Sequence, residues 1–180
     1  PTIVNNGSLS IKSGEISSSY VTIENRGTLT VSGGKVITNV TGTNSSNHTA
    51  IQNYGSANII EDTTEHTHGV IEATSDLAST VLMGVYGYTT NSTLTVDGGE
   101  IRVTKTNDTG NNAYAVYNIT RGIFNNAIIT TNSSGYATSI HSGSNEVTIT
   151  DSTITTNAYR YARGVASDNG HIVINGNTNI

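Results

Sequence analysis

The chain of 180 residues has no cysteine and no tryptophan, and only one proline, one methionine and one phenylalanine. The absence of cysteine excludes a disulfide scaffold and leaves the redox compartment undetermined. Charged residues make up 12% of the chain and the formal net charge is −5, a balance that disfavours nucleic acid or acidic lipid as a partner. No apolar run is long enough to cross a membrane and no signal-peptide pattern is present, so membrane insertion is not expected. Hydrophobic residues reach only 34%. That is low for a globular core but suits a narrow interior filled by small β-branched side chains, so disorder is not implied.

What fills the chain instead is Thr, Asn, Ser and Gly, and among them runs a repeat. Leu29-Thr30-Val31-Ser32-Gly33-Gly34-Lys35-Val36 returns as Leu94-Thr95-Val96-Asp97-Gly98-Gly99-Glu100-Ile101. Two apolar residues two apart, then four polar or glycine residues, then a third apolar residue spell strand, tight bend, strand. Looser copies are Leu9/Ile11 with Ile16, Ile123/Phe124 with Ile129, Val147/Ile149 with Ile154, and Ile172/Ile174, with a degenerate one at Ile59/Ile60. Anchored on the second apolar residue, the copies sit at Ile11, Val31, Ile60, Val96, Phe124, Ile149 and Ile174, spaced by 20, 29, 36, 28, 25 and 25 residues. The mean turn is about 27 residues.

A second motif keeps step with the first: its apolar residues Ile23, Ile51, Val85, Val116, Ile140 and Val165 each stand 8 to 11 residues before the next anchor. The elastic part falls elsewhere, in 38–49 and 104–112, both rich in Ser, Thr, Asn and Gly as insertions on loops are. Three short strands per turn, two tight corners and one elastic one predict a parallel β-solenoid of six to seven coils with a roughly triangular section. Four aliphatic ladders follow: Leu9, Leu29, Leu94, Val147, Ile172; the seven anchors; Ile16, Val36, Ile101, Ile129, Ile154; and the second-motif residues. No single coil is stable alone, because about five buried aliphatics at about 2 kcal/mol each oppose an ordering cost of about 1–2 kcal/mol per residue.

The third coil departs from the repeat in 61–69, where Glu61, Asp62, Glu65, His66 and His68 gather. On a strand, His66 and His68 would share a face and with Glu65 are candidate metal ligands, Glu61 and Asp62 standing close by as further carboxylates. The alternative is a solvated hairpin-like loop, and no cofactor is otherwise indicated. Residues 76–83 fit either a brief helical turn or a simple return to the next strand. Tyr86, Tyr88, Tyr114 and Tyr117 gather near the third strand, and Tyr136, Tyr159 and Tyr161 precede it in later coils. These rings are candidates for stacking on sugars or for covering the sheet. The column Asn25, Asn53, Gly87, Asn118, Ser142, Ser167 ends the same strand in each coil and predicts a structural corner ladder.

The stretches Gly27-Thr28-Leu29-Thr30-Val31-Ser32-Gly33-Gly34-Lys35-Val36 and Ala50-Ile51-Gln52-Asn53-Tyr54-Gly55 resemble the right-handed parallel β-helix of the pectate-lyase-like superfamily. They are closer still to Ser/Thr/Asn-rich repeats of large bacterial surface proteins and adhesins. The resemblance covers nearly the whole chain and implies an architecture that hosts many functions. Members that cleave pectin set carboxylates and a basic residue on neighbouring coils; here only Gly170-His171-Ile172 is similar to one signature, and Asp97 and Asp151 align one place apart with Asn126 between. Five histidines and many serines form no recognisable triad. A flat ice-binding face would need an unbroken outward threonine column, which Thr22, Thr30, Thr95 and Thr148 do not make.

The expectation is therefore one β-helical domain over 1–180, an excised part of a longer protein, because the chain starts two residues before a strand and stops inside a coil pattern. Its expected role is structural or adhesive, without enzymatic activity, in a bacterial extracellular or cell-surface protein. The partners expected are glycans or proteins of a host or environment. A polysaccharide-active enzyme or phage tail-spike fragment is the alternative, and end-to-end self-association into a filament is a second one, suggested by ends without capping helices.

Overall fold

The computed structural model describes residues 1–41, 47–77, 80–107, 111–143 and 146–180. Among them there is no helix, and the strands form three sheets, each built from one strand per coil. One sheet holds Ile3–Asn5, Val21–Asn25, His48–Asn53, Leu82–Gly87, Asn112–Ile119, Tyr136–Ser142 and Tyr161–Ser167. The next along the coil holds Ser8–Ile11, Thr28–Val31, Ser56–Asp62, Thr93–Asp97, Arg121–Asn125, Val147–Thr150 and Ile172–Asn175, and the third runs from Glu15–Ser18 to Thr153–Ala158. We refer to them as sheets 1, 2 and 3. All neighbouring strands in each are parallel, so the chain is a parallel β-solenoid of about seven coils.

Like residues stack on like because the register of each pair is set by the inward aliphatics. Ile16, Val36, Ile71, Ile101, Ile129 and Ile154 form one ladder. Ile3, Ile23, Ile51, Val85, Val116, Ile140 and Val165 form another. The anchor ladder needs one correction: Val31 and Val96 both pair with Ile59, not Ile60, which leaves the interior and bridges Gly98 instead. The degenerate copy offered two adjacent isoleucines, and the alternation of a strand admits only one of them. Ile59 is fully buried beside Ala57, which continues the column of Leu29 and Leu94. In the next coil that column holds Gly122, whose missing side chain leaves the space taken by the Phe124 ring and Ile119.

The corner between sheets 2 and 3 has a backbone requirement of its own. The residues that follow the paired Asp97, Asn125, Thr150 and Asn175 are Gly98, Asn126, Asp151 and Gly176, and all four have positive φ, from 46° to 69°. Glycine adopts that region freely and Asn and Asp tolerate it best among the rest. Asp151 also accepts a hydrogen bond from the Asn177 N–H at 2.8 Å. Its place in the chain is thus a corner requirement.

Sheet 1 ends in a second kind of ladder. Asn5 Nδ2 donates to Asn25 Oδ1 at 2.7 Å, and Asn25 Nδ2 donates to Asn53 Oδ1 at 2.8 Å. Each amide also reaches a backbone carbonyl of the following coil: Thr28, Ser56 and Thr93 accept in turn. Gly87 succeeds Asn53, and then the column changes. A bulge puts Ile119 opposite Ser142 and turns Asn118 aside with φ 56°, its Nδ2 donating to the Gly87 carbonyl. Ser142 is paired with Ser167 one coil on.

Thr22 is fully buried and bonds Thr38, so it is no outward residue; Thr30, Thr95 and Thr148 share an outward column that Asn58 and Ile123 interrupt. Residues 42–46 and 108–110 of the two long inserts, and residues 78–79 of the segment that fits either a brief helical turn or a simple return, lie outside the described residues. The described remainder resumes as a strand at Leu82.

Candidate functional site

Sheet 1 bends, and the sequence shows where. Successive strand residues face opposite sides, yet Ala115 and Val116 are both buried, as are Ser139 and Ile140, and Ala50 and Ile51. The ladder of paired residues skips Gly84, Ala115 and Ser139 at the same place in successive coils. Two successive inward residues turn the strand, so Tyr114 and Tyr117 flank the bend on its outer side. Their rings lie 4.4 Å apart between centroids.

From there a continuous aromatic stripe runs along the rod. Tyr86, Tyr117 and His141 occupy one outward column, with centroid separations of 5.8 and 5.0 Å. Tyr88 joins Tyr86 edge-on at 5.4 Å, Tyr54 meets Tyr88 at 4.7 Å, and the Arg26 guanidinium lies 5.5 Å above Tyr54. Offset and edge-on pairs of this kind contribute about 0.5–1.5 kcal/mol each beyond area burial. Burial raises the phenol pKa values of Tyr54, Tyr86 and Tyr114, so these hydroxyls stay protonated at neutral pH. Asn112 Nδ2 donates to Tyr114 Oη at 2.6 Å and Gln52 Nε2 to Tyr54 Oη at 3.1 Å, which fixes the rings' orientation.

The stripe stops at His141, because the next residue in its column is Ala166. His141 Nε2 lies 3.3 Å from Asp168 Oδ1, while its Nδ1 is buried without a hydrogen-bond partner. Beside it opens a groove of about 360 Å³, floored by Thr138 and walled by Tyr114, Tyr136, Tyr161 and Arg163. The Arg163 guanidinium lies 5.1 Å over the Tyr161 ring and donates to Tyr161 Oη at 3.2 Å.

The four tyrosines singled out from sequence therefore belong to one contiguous surface. The sequence reading missed Tyr54, which extends that surface, and Arg163, which closes it. The signal for Tyr54 was its position just after the corner asparagine, one place beyond the aligned column.

The third-coil excursion takes the hairpin-like form, and the two histidines do not stand as a metal site on one strand would place them. It is an antiparallel hairpin in which Glu61 pairs with His68 and Asp62 with Thr67. His66 lies in the turn with φ 53°, so His66 and His68 do not share a strand face. His68 instead lies 3.5 Å from Glu100, a nearly buried carboxylate held mainly by the Arg102 guanidinium. Glu65 lies in the same turn, its N–H bonded to Asp62 Oδ1. Among the described residues, no group of three or more His, Cys, Asp or Glu side chains gathers as metal ligands would. Asp97 and Asp151 are exposed and stand in adjacent positions of the same corner.

Two buried polar residues had no place in the sequence reading. His48 fills a position in the apolar column of Leu82, Ala113 and Ala137. Burial lowers its pKa; the Ser19 backbone opposes this in part, but it forms no bond of good hydrogen-bond geometry with either ring nitrogen, so burial prevails. Lys105 is fully buried at the end of its strand, with Nζ donating to the Asn107 carbonyl at 2.9 Å. Comparison with known proteins returns no matching family model, no matching curated protein and no matching solved structure.

Proposed function

We propose that this solenoid is a structural and adhesive segment of a bacterial extracellular surface protein, a β-helix of the pectate-lyase-like kind that uses its aromatic face to hold glycans and has no catalytic role. The observation that supports this reading is the stripe from Tyr54 through Tyr88, Tyr86 and Tyr117 to His141. Nothing in the packing of a parallel solenoid requires aromatic residues outside. The equivalent positions are Glu24 and Gln52 in earlier coils and Ala166 in a later one. Aromatic rings with protonated hydroxyls on a rigid sheet offer apolar surface and hydrogen bonds together, the combination a sugar needs.

The scaffold contributes rigidity: a site on paired strands needs little ordering when it binds. The test is a glycan array probed with the purified chain, read beside an assay for new reducing ends on the same polysaccharides. Retention of one glycan class, weakened in Tyr88→Ala, supports the reading. Cleavage of a polysaccharide would overturn it in favour of an enzyme, and a blank array would remove the adhesive role.

A further inference from the structure

The aromatic stripe does not fade evenly along the rod; it breaks at one position and leaves a slot. The position just before the bend holds Tyr114 in one coil, Thr138 in the next and Arg163 in the one after. Strands stack about 4.8 Å apart, so a small residue between two large ones opens a gap of about two such spacings. Thr138 is 8% exposed and lies at the bottom of this gap. Among the described residues its hydroxyl has no hydrogen-bond partner, although it lines the groove. One end of the slot is the Tyr114 ring, turned by its bond from Asn112. The other end is Arg163, and the sides are Tyr136 and His141.

The charges in the slot are unequal. The acid near it, Asp168, lies 3.3 Å from His141 Nε2 and acts on the Tyr114 hydroxyl in the opposite sense to Arg163. Arg163 stacks on Tyr161 and bonds its hydroxyl, and among the described residues it makes no ion pair. A guanidinium carries five donors in a planar fork suited to carboxylate or sulfate oxygens. Among the described residues, the Tyr161 hydroxyl is the acceptor this fork meets. The slot thus combines an aromatic end, a hydroxyl on its floor and a guanidinium that makes no ion pair among the described residues, inside a volume of about 360 Å³.

We propose that this slot is a subsite for one sugar ring carrying an anionic substituent, the ring lying against Tyr114 over Thr138 and the carboxylate or sulfate meeting Arg163. The proposal rests on the glycan-binding reading above and goes beyond it in naming the chemical class and the discriminating residue. Tyr114 packs against Tyr117 on one side and borders the slot on the other, and the cation beside it, Arg163, differs from Arg26 at the far end of the stripe, which is paired with Glu24. Because the chain as a whole is negative, at −5, long-range steering works against such a ligand and recognition falls to this local contact.

The experiment uses the full chain and two variants on an array of matched neutral, carboxylated and sulfated sugars at low and high salt. Arg163→Gln keeps an exposed side chain of similar length, and Thr138→Tyr fills the slot with a ring that continues the Tyr114 column. Circular dichroism and thermal melting first establish that both variants fold. The wild type is expected to prefer the charged sugars, with the carboxylated and sulfated arms showing which anion it takes. Arg163→Gln should lose about ten- to a hundredfold in affinity and most of the salt dependence, and Thr138→Tyr should abolish binding. Equal binding of neutral and charged sugars, unchanged in Arg163→Gln, overturns the slot proposal while leaving the glycan-binding reading standing. A wild type that retains no sugar of any class overturns both.

Discussion

Two neighbouring columns of sheet 1 obey opposite rules. The inward one, Ile3, Ile23, Ile51, Val85, Val116, Ile140, Val165, barely changes over seven strands. The outward one, a single residue further along each strand, reads Val4, Glu24, Gln52, Tyr86, Tyr117, His141, Ala166. The backbone hydrogen bonds are the same for both, so the ladder itself does not choose side chains. Inside, each residue must fill the volume left by the coils above and below, and only a β-branched aliphatic does so without strain or void. Outside there is water, and identity is open to selection by whatever the surface meets.

The sharpest way to break this contrast is to place the same charge on adjacent residues. Ile51→Asp puts a carboxylate in a fully buried column with no partner and is expected to cost more than about 4 kcal/mol, enough to remove the cooperative unfolding transition. Gln52→Asp, one residue away and facing out, should stay within about 0.5 kcal/mol of wild type in the same urea titration. Equal losses would mean that the two columns are not distinguished by burial.

The asparagine ladder offers a smaller effect. Asn25→Ala removes the acceptor for Asn5 and the donor to Asn53 and Ser56, all at a buried corner. Leaving such groups unsatisfied should cost at least about 2 kcal/mol, measured by denaturant midpoint at constant m-value. A loss below about 0.5 kcal/mol would show that water replaces the amide.

His48 tests whether an inward column tolerates a titratable group. Its folded pKa lies below its ordinary value of 6.5, so the folded state holds it neutral. Stability is then fully present above that value and is lost as pH falls from it toward the folded pKa, because the unfolded chain binds the proton more readily. Thermal melts should therefore decline below pH 6.5 in wild type, and this component should vanish in His48→Leu. A pH profile identical in the two would place the acid sensitivity elsewhere.

The smallest stability effect is expected where function is proposed. Tyr86→Ser removes contacts with Tyr88 and Tyr117 but no interior packing, and should cost at most about 1–2 kcal/mol in thermal denaturation. A larger loss would make the stripe a structural brace and weaken the case that it is kept for a ligand.

Much of this was legible beforehand, for a definite reason. A residue such as Val31 is inward in every coil, and its copies at Val96 and Ile149 repeat with the coil, so the sequence carries the stacking as a period. The reading slipped at Ile59 and Ile60, where two adjacent apolar residues satisfy the period equally and only pairing with Val96 decides. It slipped again at Asn118, since a bulge adds one residue to the strand without altering composition. The aromatic residues were visible, but their continuity was not, because Tyr54 and Tyr88 follow the corner and meet Tyr86 only once the chain has turned.

The sequence by itself determined the coil, the three sheets and the aliphatic ladders, because each recurs once per turn and the physics of burial acts identically on every copy. The tertiary structure alone decided which unlike residues meet: that Glu100 lies between Arg102 and His68, that the ring column ends at His141, and that Thr138 opens a slot between Tyr114 and Arg163. Such neighbours are separated by whole coils and set by bends, bulges and loop lengths. No period records them.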